Sequence, residues 1–183
     1  TITCLPPRNP IVSGINAHGA TLSWTPLGEQ SSWQVYCDTG VVDLDQASWI
    51  TVTDTFYTFT GLDANTEYNA YLRTNCGNHQ SVHLLKNFWT SLIPVEMPFT
   101  CDFENDNVNS VIAIRNGSEN NRWHIGNSVN HTPNGEKALY ISGNNGLSNT
   151  YNIDAASAVW AFFDVNFPTA NEFLLSFDWR AYG

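Results

Sequence analysis

Short runs of alternating apolar and polar residues, closed by turn residues, recur along the first half of the chain. Residues 20–24 alternate and end before Pro26, and residues 33–37 alternate and end before an Asp-Thr-Gly turn. Nowhere does an apolar period of 3.6 residues persist over the length of a helix. The pattern therefore predicts an all-β protein. The seven strands predicted in the first half lie near residues 11–15, 20–24, 33–37, 49–52, 56–59, 68–74 and 83–89.

Seven short strands over about 90 residues, with turns at regular intervals, are typical of an immunoglobulin-like sandwich. Three segments, ATLSW, WQVYC and GLDANTEYNAYLRTNC, follow one another in the order found in fibronectin type III modules, which this half resembles from Cys4 to Thr90. The resemblance implies that Trp24 lies in the core, that Leu62 packs inward, and that Tyr68 closes a corner by hydrogen-bonding the backbone. We therefore expect a fibronectin type III domain at residues 1–91.

The second half predicts another β domain. Two prolines bracket an apolar stretch, which predicts a stiff, extended linker at residues 92–98. Residues 99–104 then alternate strictly, which predicts a strand, and a polar loop follows at 105–121. Further strand-like runs, separated by Gly- and Asn-rich turns, lie at residues 122–125, 138–142, 158–167 and 173–179.

Four motifs in this second half, CDFEND, RWHIG, KALYISGNNG and FLLSFDWRAYG, are similar to MAM domains and to the cleaved-adhesin jelly rolls of bacterial surface proteins. MAM domains have a second Cys soon after the CDFE segment, and none follows Cys101 here, so the bacterial version fits better. Such jelly rolls need more strands than residues 99–183 provide. We therefore expect an immunoglobulin-like sandwich followed by the N-terminal part of a jelly roll.

The charge balance narrows the classes of partner. Asp and Glu outnumber Lys and Arg by 17 to 7, which gives a net charge of −10. The negative electrostatic potential that results repels phosphate groups, so nucleic acid and anionic membranes are disfavoured as partners. A cation such as calcium is favoured. No apolar run approaches the roughly 20 residues of a membrane span, so no membrane insertion is expected. The chain begins without Met, which suggests a fragment of a larger protein.

The four cysteines have no CxxC spacing, so disulfides or buried free thiols are the two interpretations. Their even number, with an Asn-rich surface, favours an oxidising compartment. The resemblance to fibronectin type III modules implies that Cys4 and Cys76 are neighbours at one pole, where they would form a stabilising disulfide. At the other pole, a bridge between Cys37 and Cys101 is one alternative, and two free thiols are the other.

Acidic side chains at the start of the second domain predict a structural calcium site. Hard cations take several oxygen ligands, and the resemblance to jelly rolls places calcium near the start of the domain. Exposed acidic residues without a metal are the alternative interpretation. The candidate carboxylates are Asp102, Glu104, Asp106 and Asp178, and the candidate amides of a Gly- and Asn-rich turn are Asn144 or Asn145.

Aromatic residues with neighbouring amides predict a glycan platform, because a sugar stacks its apolar face on a ring while amides bond its hydroxyls. The alternative is that the rings are simply core. The candidates are Trp123, Tyr140 and Trp160 together with Asn144 and Asn145.

The sequence contains none of four common catalytic or nucleotide-binding motifs: GxSxG, HExxH, the P-loop and GxGxxG. We therefore predict that the chain is not an enzyme but a non-catalytic extracellular segment of a bacterial surface or secreted protein. Its role would be adhesion and spacing, with a host protein, matrix or glycan as partner beside the remaining domains of the parent protein. The alternative is a set of accessory domains of a secreted hydrolase or protease whose catalytic domain lies elsewhere.

Overall fold

The computed structural model describes residues 4–169 and 172–181. The chain divides into two compact units, Thr1–Leu92 and Ile93–Gly183, so the boundary falls inside the predicted linker. Within the described residues, no helix has the length and apolar character needed to cross a bilayer.

The first unit consists of two antiparallel sheets built from seven strands. One sheet has the order β1-β2-β5, from β1 (Arg8–Asn16), β2 (Gly19–Thr25) and β5 (Phe56–Thr60). The other has the order β4-β3-β6-β7, from β3 (Trp33–Asp38), β4 (Ile50–Val52), β6 (Glu67–Thr74) and β7 (Leu84–Trp89). Every strand predicted from alternation in this half is present, and the all-β prediction is confirmed.

Alternation along the strands produces the core of the first unit, because every second side chain of a strand points to the same face. Trp24 of β2 and Trp33 of β3 meet edge to face with ring centroids 5.8 Å apart. Their exposed fractions are 6% and 2%, so both rings are withdrawn from water. The buried residues around them are Ala20, Leu22, Val35, Phe59, Tyr68, Ala70, Leu72 and Phe88.

A buried tyrosine closes the turn before β6. The backbone N–H of Asp63 donates to the Tyr68 hydroxyl oxygen at 3.0 Å, and Leu62 packs against the core from the same turn. The ring of Tyr68 stacks on Phe88 with centroids 5.9 Å apart. The predicted roles of Leu62 and Tyr68 are therefore confirmed.

Substituting Tyr68→Phe is expected to lower the free energy of unfolding of the first unit by about 1 kcal/mol, because the partly buried hydrogen bond from the Asp63 N–H loses its acceptor. Urea unfolding followed by circular dichroism measures the change. Tyr57→Phe is the matched control: its ring packs on Phe59 at 5.1 Å, and its hydroxyl has no hydrogen bond among the described residues. Equal losses in the two variants would contradict a specific role for the corner hydrogen bond.

The second unit contains pairs of short strands. Two pairs are antiparallel, β10 with β11 and β9 with β12, and β8 pairs with β13 in parallel. Because these are three two-stranded sheets, the jelly-roll architecture stays a prediction. The elements are β8 (Val95–Glu96), α1 (Asp106–Asn109), β9 (Ala113–Arg115), β10 (Arg122–Gly126), β11 (Ala138–Ser142), β12 (Trp160–Phe162) and β13 (Val165–Asn166).

Several predictions for the second half differ from this structure. Residues 99–104 form no strand, although burial alternates from residue 99 to residue 103, and Phe103 interrupts the extended backbone at a φ of 67°. The loop predicted at 105–121 contains α1 and β9, and the run at 158–167 is split into β12 and β13. Part of the predicted linker is itself a strand, β8.

The strand predicted at residues 173–179 is also absent. A strand is stabilised by the backbone of a neighbour, and no described strand pairs with this segment. Its apolar side chains are accordingly exposed, with Leu174 at 88% and Trp179 at 76%. The apolar pattern of this segment therefore predicted a strand, but the segment does not pair with a described strand.

Candidate functional site

The predicted calcium ligands are occupied by contacts within the second unit. The Glu104 carboxylate accepts the backbone N–H groups of Glu136 and Lys137 at 2.8 and 2.9 Å. Asp106 pairs with the Lys137 ammonium at 2.8 Å, and this hydrogen bond lowers the pKa of Asp106. Asp102 accepts the backbone N–H of Glu104 at 3.1 Å. Glu104 and Asp106 therefore hold residues 136 and 137 in place, whereas Asp102 bonds only its own neighbouring backbone.

The fourth predicted ligand, Asp178, lies 3.6 Å from a ring nitrogen of His131, and both side chains are largely exposed. Within the described residues, the four predicted carboxylates do not converge on a common point; the converging group found there consists of Cys4, Cys76 and His79. Calcium therefore stays a prediction. The Lys137 ammonium already supplies a positive charge beside Asp106, which reduces the need for a cation there.

The predicted glycan residues are divided among different environments. Tyr140 is only 6% exposed and donates its hydroxyl proton to the Gly146 carbonyl at 2.6 Å. A buried ring has no free face for a sugar, so Tyr140 does not belong to an open platform. Trp123 is half-buried in β10, whereas Trp160 is 60% exposed in β12, which is part of another sheet.

An asparagine-rich cleft lies beside the Gly- and Asn-rich turn of the second unit and has a volume of about 370 Å³. Of the amides predicted from sequence, Asn144 lines it. No lining residue is charged, and Tyr151 is 38% exposed. We call this feature the asparagine cleft; it is lined by Asn120, Asn121, Gly143, Asn144 and residues 150–152.

A buried amide fixes one wall of the asparagine cleft. The Asn121 side chain, 5% exposed, donates to the Asn152 carbonyl at 2.8 Å and accepts the Asn152 backbone N–H at 2.9 Å. Its amide also lies 3.4 Å from the Ala155 carbonyl. This two-way contact holds residues 152–155 against the start of β10.

The opposite wall is fixed by Ser142, which is fully buried. Its hydroxyl donates to the Asn144 side-chain oxygen at 2.8 Å and accepts the backbone N–H groups of Asn144 and Gly146 at 3.2 and 3.0 Å. The backbone N–H of Gly143 donates to the Thr150 carbonyl at 2.8 Å, which joins the two ends of the loop. Both walls are therefore organised by internal hydrogen bonds.

Two amides on the asparagine cleft have unused hydrogen-bonding capacity. Asn120 is exposed, and its side chain has no hydrogen bond among the described residues. Asn152 accepts the Asp154 backbone N–H at 2.9 Å through its side-chain oxygen, so its amide nitrogen is left to donate. The sequence analysis missed these two residues because the sequence around an Asn in a polar loop does not indicate whether the side chain faces open solvent or a cleft.

At one end of the first unit, Cys4 and Cys76 form a disulfide with an S–S distance of 2.15 Å and a Cα–Cα distance of 6.0 Å. The bridge joins residues separated by 72 positions, from the segment before β1 to the segment after β6. The exposed His79 lies nearby, but bonded sulfurs are not thiolate ligands, so these three residues are not a metal site.

Residues 5–84 match the family model described as the fibronectin type III domain. The match spans the six strands β1 to β6 and ends at the first residue of β7; it includes the Tyr68 turn and the Trp24–Trp33 pair. Residues 5–84 form a fibronectin type III domain. No curated protein sequence matches the chain.

Solved structures similar to the chain align with about half of it. A structure described as a myokine is 20% identical over 49% of this chain and 99% of its own, with a TM-score of 0.42. A fibronectin type III domain of human collagen alpha-1(XX) is 17% identical over 49% of this chain and 86% of its own, with a TM-score of 0.43. The FN5 domain of Drosophila Lar is 14% identical over 49% and 98%, with a TM-score of 0.41.

The two cysteines outside the bridge are free thiols. Cys37 lies in β3 of the fibronectin type III domain, packed against the core, and burial, aided by the charge of Asp38, raises the pKa of its thiol to about 12. Burial also raises the pKa of the Cys101 thiol in the second unit. Of the two predicted alternatives, the structure therefore has free thiols, and their protonated form makes them poor nucleophiles.

The raised pKa of Cys37 predicts a loss of stability in alkali. Because the folded value is about 12 and the ordinary value 9.0, the unfolded chain releases the thiol proton first. The contribution of the protonated Cys37 thiol to the free energy of unfolding is fully present below pH 9 and is lost as the pH rises toward 12. Between pH 9 and 11, wild type should lose up to about 2 kcal/mol more than Cys37→Ala, allowing for solvent screening. Urea unfolding at several pH values measures this difference, and parallel pH curves for the two proteins would refute it.

The outer face of the four-stranded sheet has an aromatic cluster that the sequence did not predict. The guanidinium of Arg73 lies 3.9 Å from the ring centroid of Trp49 and donates to the Gln34 side chain at 2.8 Å. Tyr71, only 7% exposed, lies between Tyr36 and His83. Because these rings mainly cover one another, the cluster stabilises the fibronectin type III domain and offers little open surface.

Proposed function

We propose that this chain is a non-catalytic extracellular segment of a larger surface or secreted protein, in which the fibronectin type III domain is a spacer and the second unit makes an adhesive contact. The observation that supports this most directly is the fibronectin type III domain itself. Such domains are commonly adhesion or spacer modules outside the cell, and they are generally not catalytic. Mechanism here means presentation and contact without turnover of a substrate.

The disulfide supports the extracellular part of the proposal. Disulfides persist in oxidising compartments and are rare in the cytosol. The Cys4–Cys76 bridge joins the segment before β1 to the segment after β6, so it stabilises the domain against unfolding outside the cell. The half-buried thiols of Cys37 and Cys101 are compatible with the same environment because their raised pKa values slow oxidation.

The second unit supports the adhesive part. Its open side has an uncharged, hydrogen-bonding cleft with organised walls, which suits recognition better than chemistry. Its sequence similarity to cleaved-adhesin jelly rolls points in the same direction. The competing proposal, accessory domains of a secreted hydrolase, assigns a binding role to this unit as well, but with the substrate of the hydrolase as ligand.

Adhesion is tested with beads coated with the full oxidised chain and passed over immobilised collagen, laminin, fibronectin and mammalian epithelial cells. We expect at least fivefold more retention than with albumin-coated beads on one or more of these surfaces. Beads coated with chain that was reduced, alkylated and unfolded in urea are the matched control and should fall to the albumin level.

Retention no greater than albumin on every surface would overturn the adhesive role. Retention that persists after unfolding would overturn it too, since a folded contact surface would then not be needed. Intact mass before and after reduction checks the extracellular part: the protein isolated from its natural source should gain two hydrogens on reduction, for the single bridge found in the structure.

A further inference from the structure

We propose that the asparagine cleft of the second unit binds the uncharged terminal sugar of a glycan. This inference rests on the adhesive role proposed above and names the chemical class of its ligand. The site differs from the aromatic platform expected from the sequence, because Tyr140 is buried and Asn120, Tyr151 and Asn152 take its place.

The lining of the cleft selects for hydroxyl groups. Amide side chains both donate and accept hydrogen bonds, as a sugar hydroxyl does, so each amide can pair with a hydroxyl in either direction. The side chain of Asn120 and the amide nitrogen of Asn152 have no hydrogen bond among the described residues, so both can bond a hydroxyl group of a ligand. Tyr151, which is 38% exposed, adds an aromatic side chain to the lining, and aromatic rings are the groups on which sugars stack.

The organisation of the walls lowers the cost of binding. A ligand that orders a loose loop loses part of its affinity to the entropy of that loop. Here Asn121 already holds Asn152 from both sides, and Ser142 already holds the backbone at Asn144 and Gly146. The lining side chains are therefore positioned before a sugar arrives.

Charge selects against acidic glycans. None of the residues that line the asparagine cleft is charged, so it has no Arg or Lys to pair with a sulfate or carboxylate. The net charge of −10 also repels anionic polymers at a distance. The volume of about 370 Å³ lies at the small end of the range for ligand sites, roughly 300–1,000 Å³, which suits a terminal sugar rather than a long chain.

Binding is tested with the full chain on beads, offered a panel of neutral oligosaccharides ending in galactose, glucose, mannose, fucose or N-acetylglucosamine, with heparin as the anionic comparison. We expect retention of at least one neutral glycan that does not change between 0.15 and about 1 M salt, because no ion pair is involved. Free glycan of the same type should compete.

Two substitutions test the lining without disturbing the walls. Asn120→Ala removes an exposed amide, and Asn152→Asp keeps the oxygen that accepts the Asp154 N–H while removing the free amide nitrogen. Each should reduce retention at least fivefold, and Tyr151→Ala should reduce it further. Asn149→Ala, an exposed amide near the cleft but outside its lining, is the matched control and should bind as wild type does. Melting temperatures within about 2 °C of wild type establish that each variant is folded.

Three results would overturn the inference: no retention of any neutral glycan, retention only of heparin with loss at high salt, or neutral retention that neither lining variant reduces. Adhesion of the same beads to matrix proteins or cells is measured in parallel, because it distinguishes failure of the glycan site from failure of the adhesive role. Beads that adhere to a matrix protein but retain no glycan would leave the adhesive role in place and refute the glycan site.

Discussion

Replacing Cys4 and Cys76 together by Ser is expected to lower the stability of the fibronectin type III domain by roughly 4 kcal/mol in the chain-entropy account of disulfides. The bridge spans 72 positions, so its loss releases a long loop in the unfolded chain. For a domain of about 90 residues, this corresponds to a fall in melting temperature of roughly 15 °C or more. Loss of the bridge lowers stability by increasing the entropy of the unfolded chain, and not by removing a packed contact from the folded domain.

Amide hydrogen exchange of peptides from β3 and β6, measured with increasing urea, follows this domain separately from the second unit. Wild type in the presence of a thiol reductant should behave as the double variant does. Cys101→Ser, which removes a thiol of the second unit, should leave exchange in β3 and β6 unchanged. If the reduced and oxidised wild-type proteins unfolded at the same urea concentration, the bridge would have no stabilising role.

Alternation predicted the first unit well because both its sheets have one buried face. A strand buried on one side places its apolar residues at every second position, so the sequence reports both the strand and its inward face. Trp24 and Trp33 show this most clearly: each lies at an inward position of its run, and the two meet in the core. The tyrosine corner was recognisable because its roles depend on residues close together in sequence.

The second unit was less predictable because its strands are short and pair with distant segments. The pair β8 and β13 joins residues 95–96 to 165–166, and no local pattern indicates which segments will meet. Residues 175–179 alternate between apolar and polar side chains, yet no described strand pairs with the segment at 173–179. Alternation measures what a segment can bury, whereas strand formation also needs a partner.

Sequence patterns identified only one residue that lines the asparagine cleft, and the sugar ligand stays a proposal. Amides and aromatic rings suggested a sugar ligand, and Asn144 does line the asparagine cleft. The sequence could not indicate that Tyr140 turns inward to bond the Gly146 carbonyl, or that Asn121 and Asn152 clamp one another across 31 positions. Such contacts depend on where loops return in space, which composition and spacing do not report.

Substituting Trp33→Ala should remove about 3–5 kcal/mol of stability from the fibronectin type III domain, because it leaves a cavity at the centre of the sandwich. Trp33 is 2% exposed and packs edge to face on Trp24, so both the burial of the ring and the aromatic contact are lost. Typical domains are stable by only about 5–15 kcal/mol, so the variant approaches the limit of folding. If Trp33→Ala fails to fold, Trp33→Phe keeps most of the volume, and its smaller loss can be measured instead.

Phe56→Ala is the matched control, since it removes an aromatic ring that is 54% exposed on the edge strand β5 of the same domain. Its effect should stay within about 0.5 kcal/mol, as for surface substitutions in general. Urea unfolding followed by circular dichroism gives both values. The indole N–H of Trp33 has no hydrogen-bond partner among the described residues, so the ring acts through packing alone. Equal losses at Phe56 and Trp33 would mean that the core is not organised around the tryptophan pair.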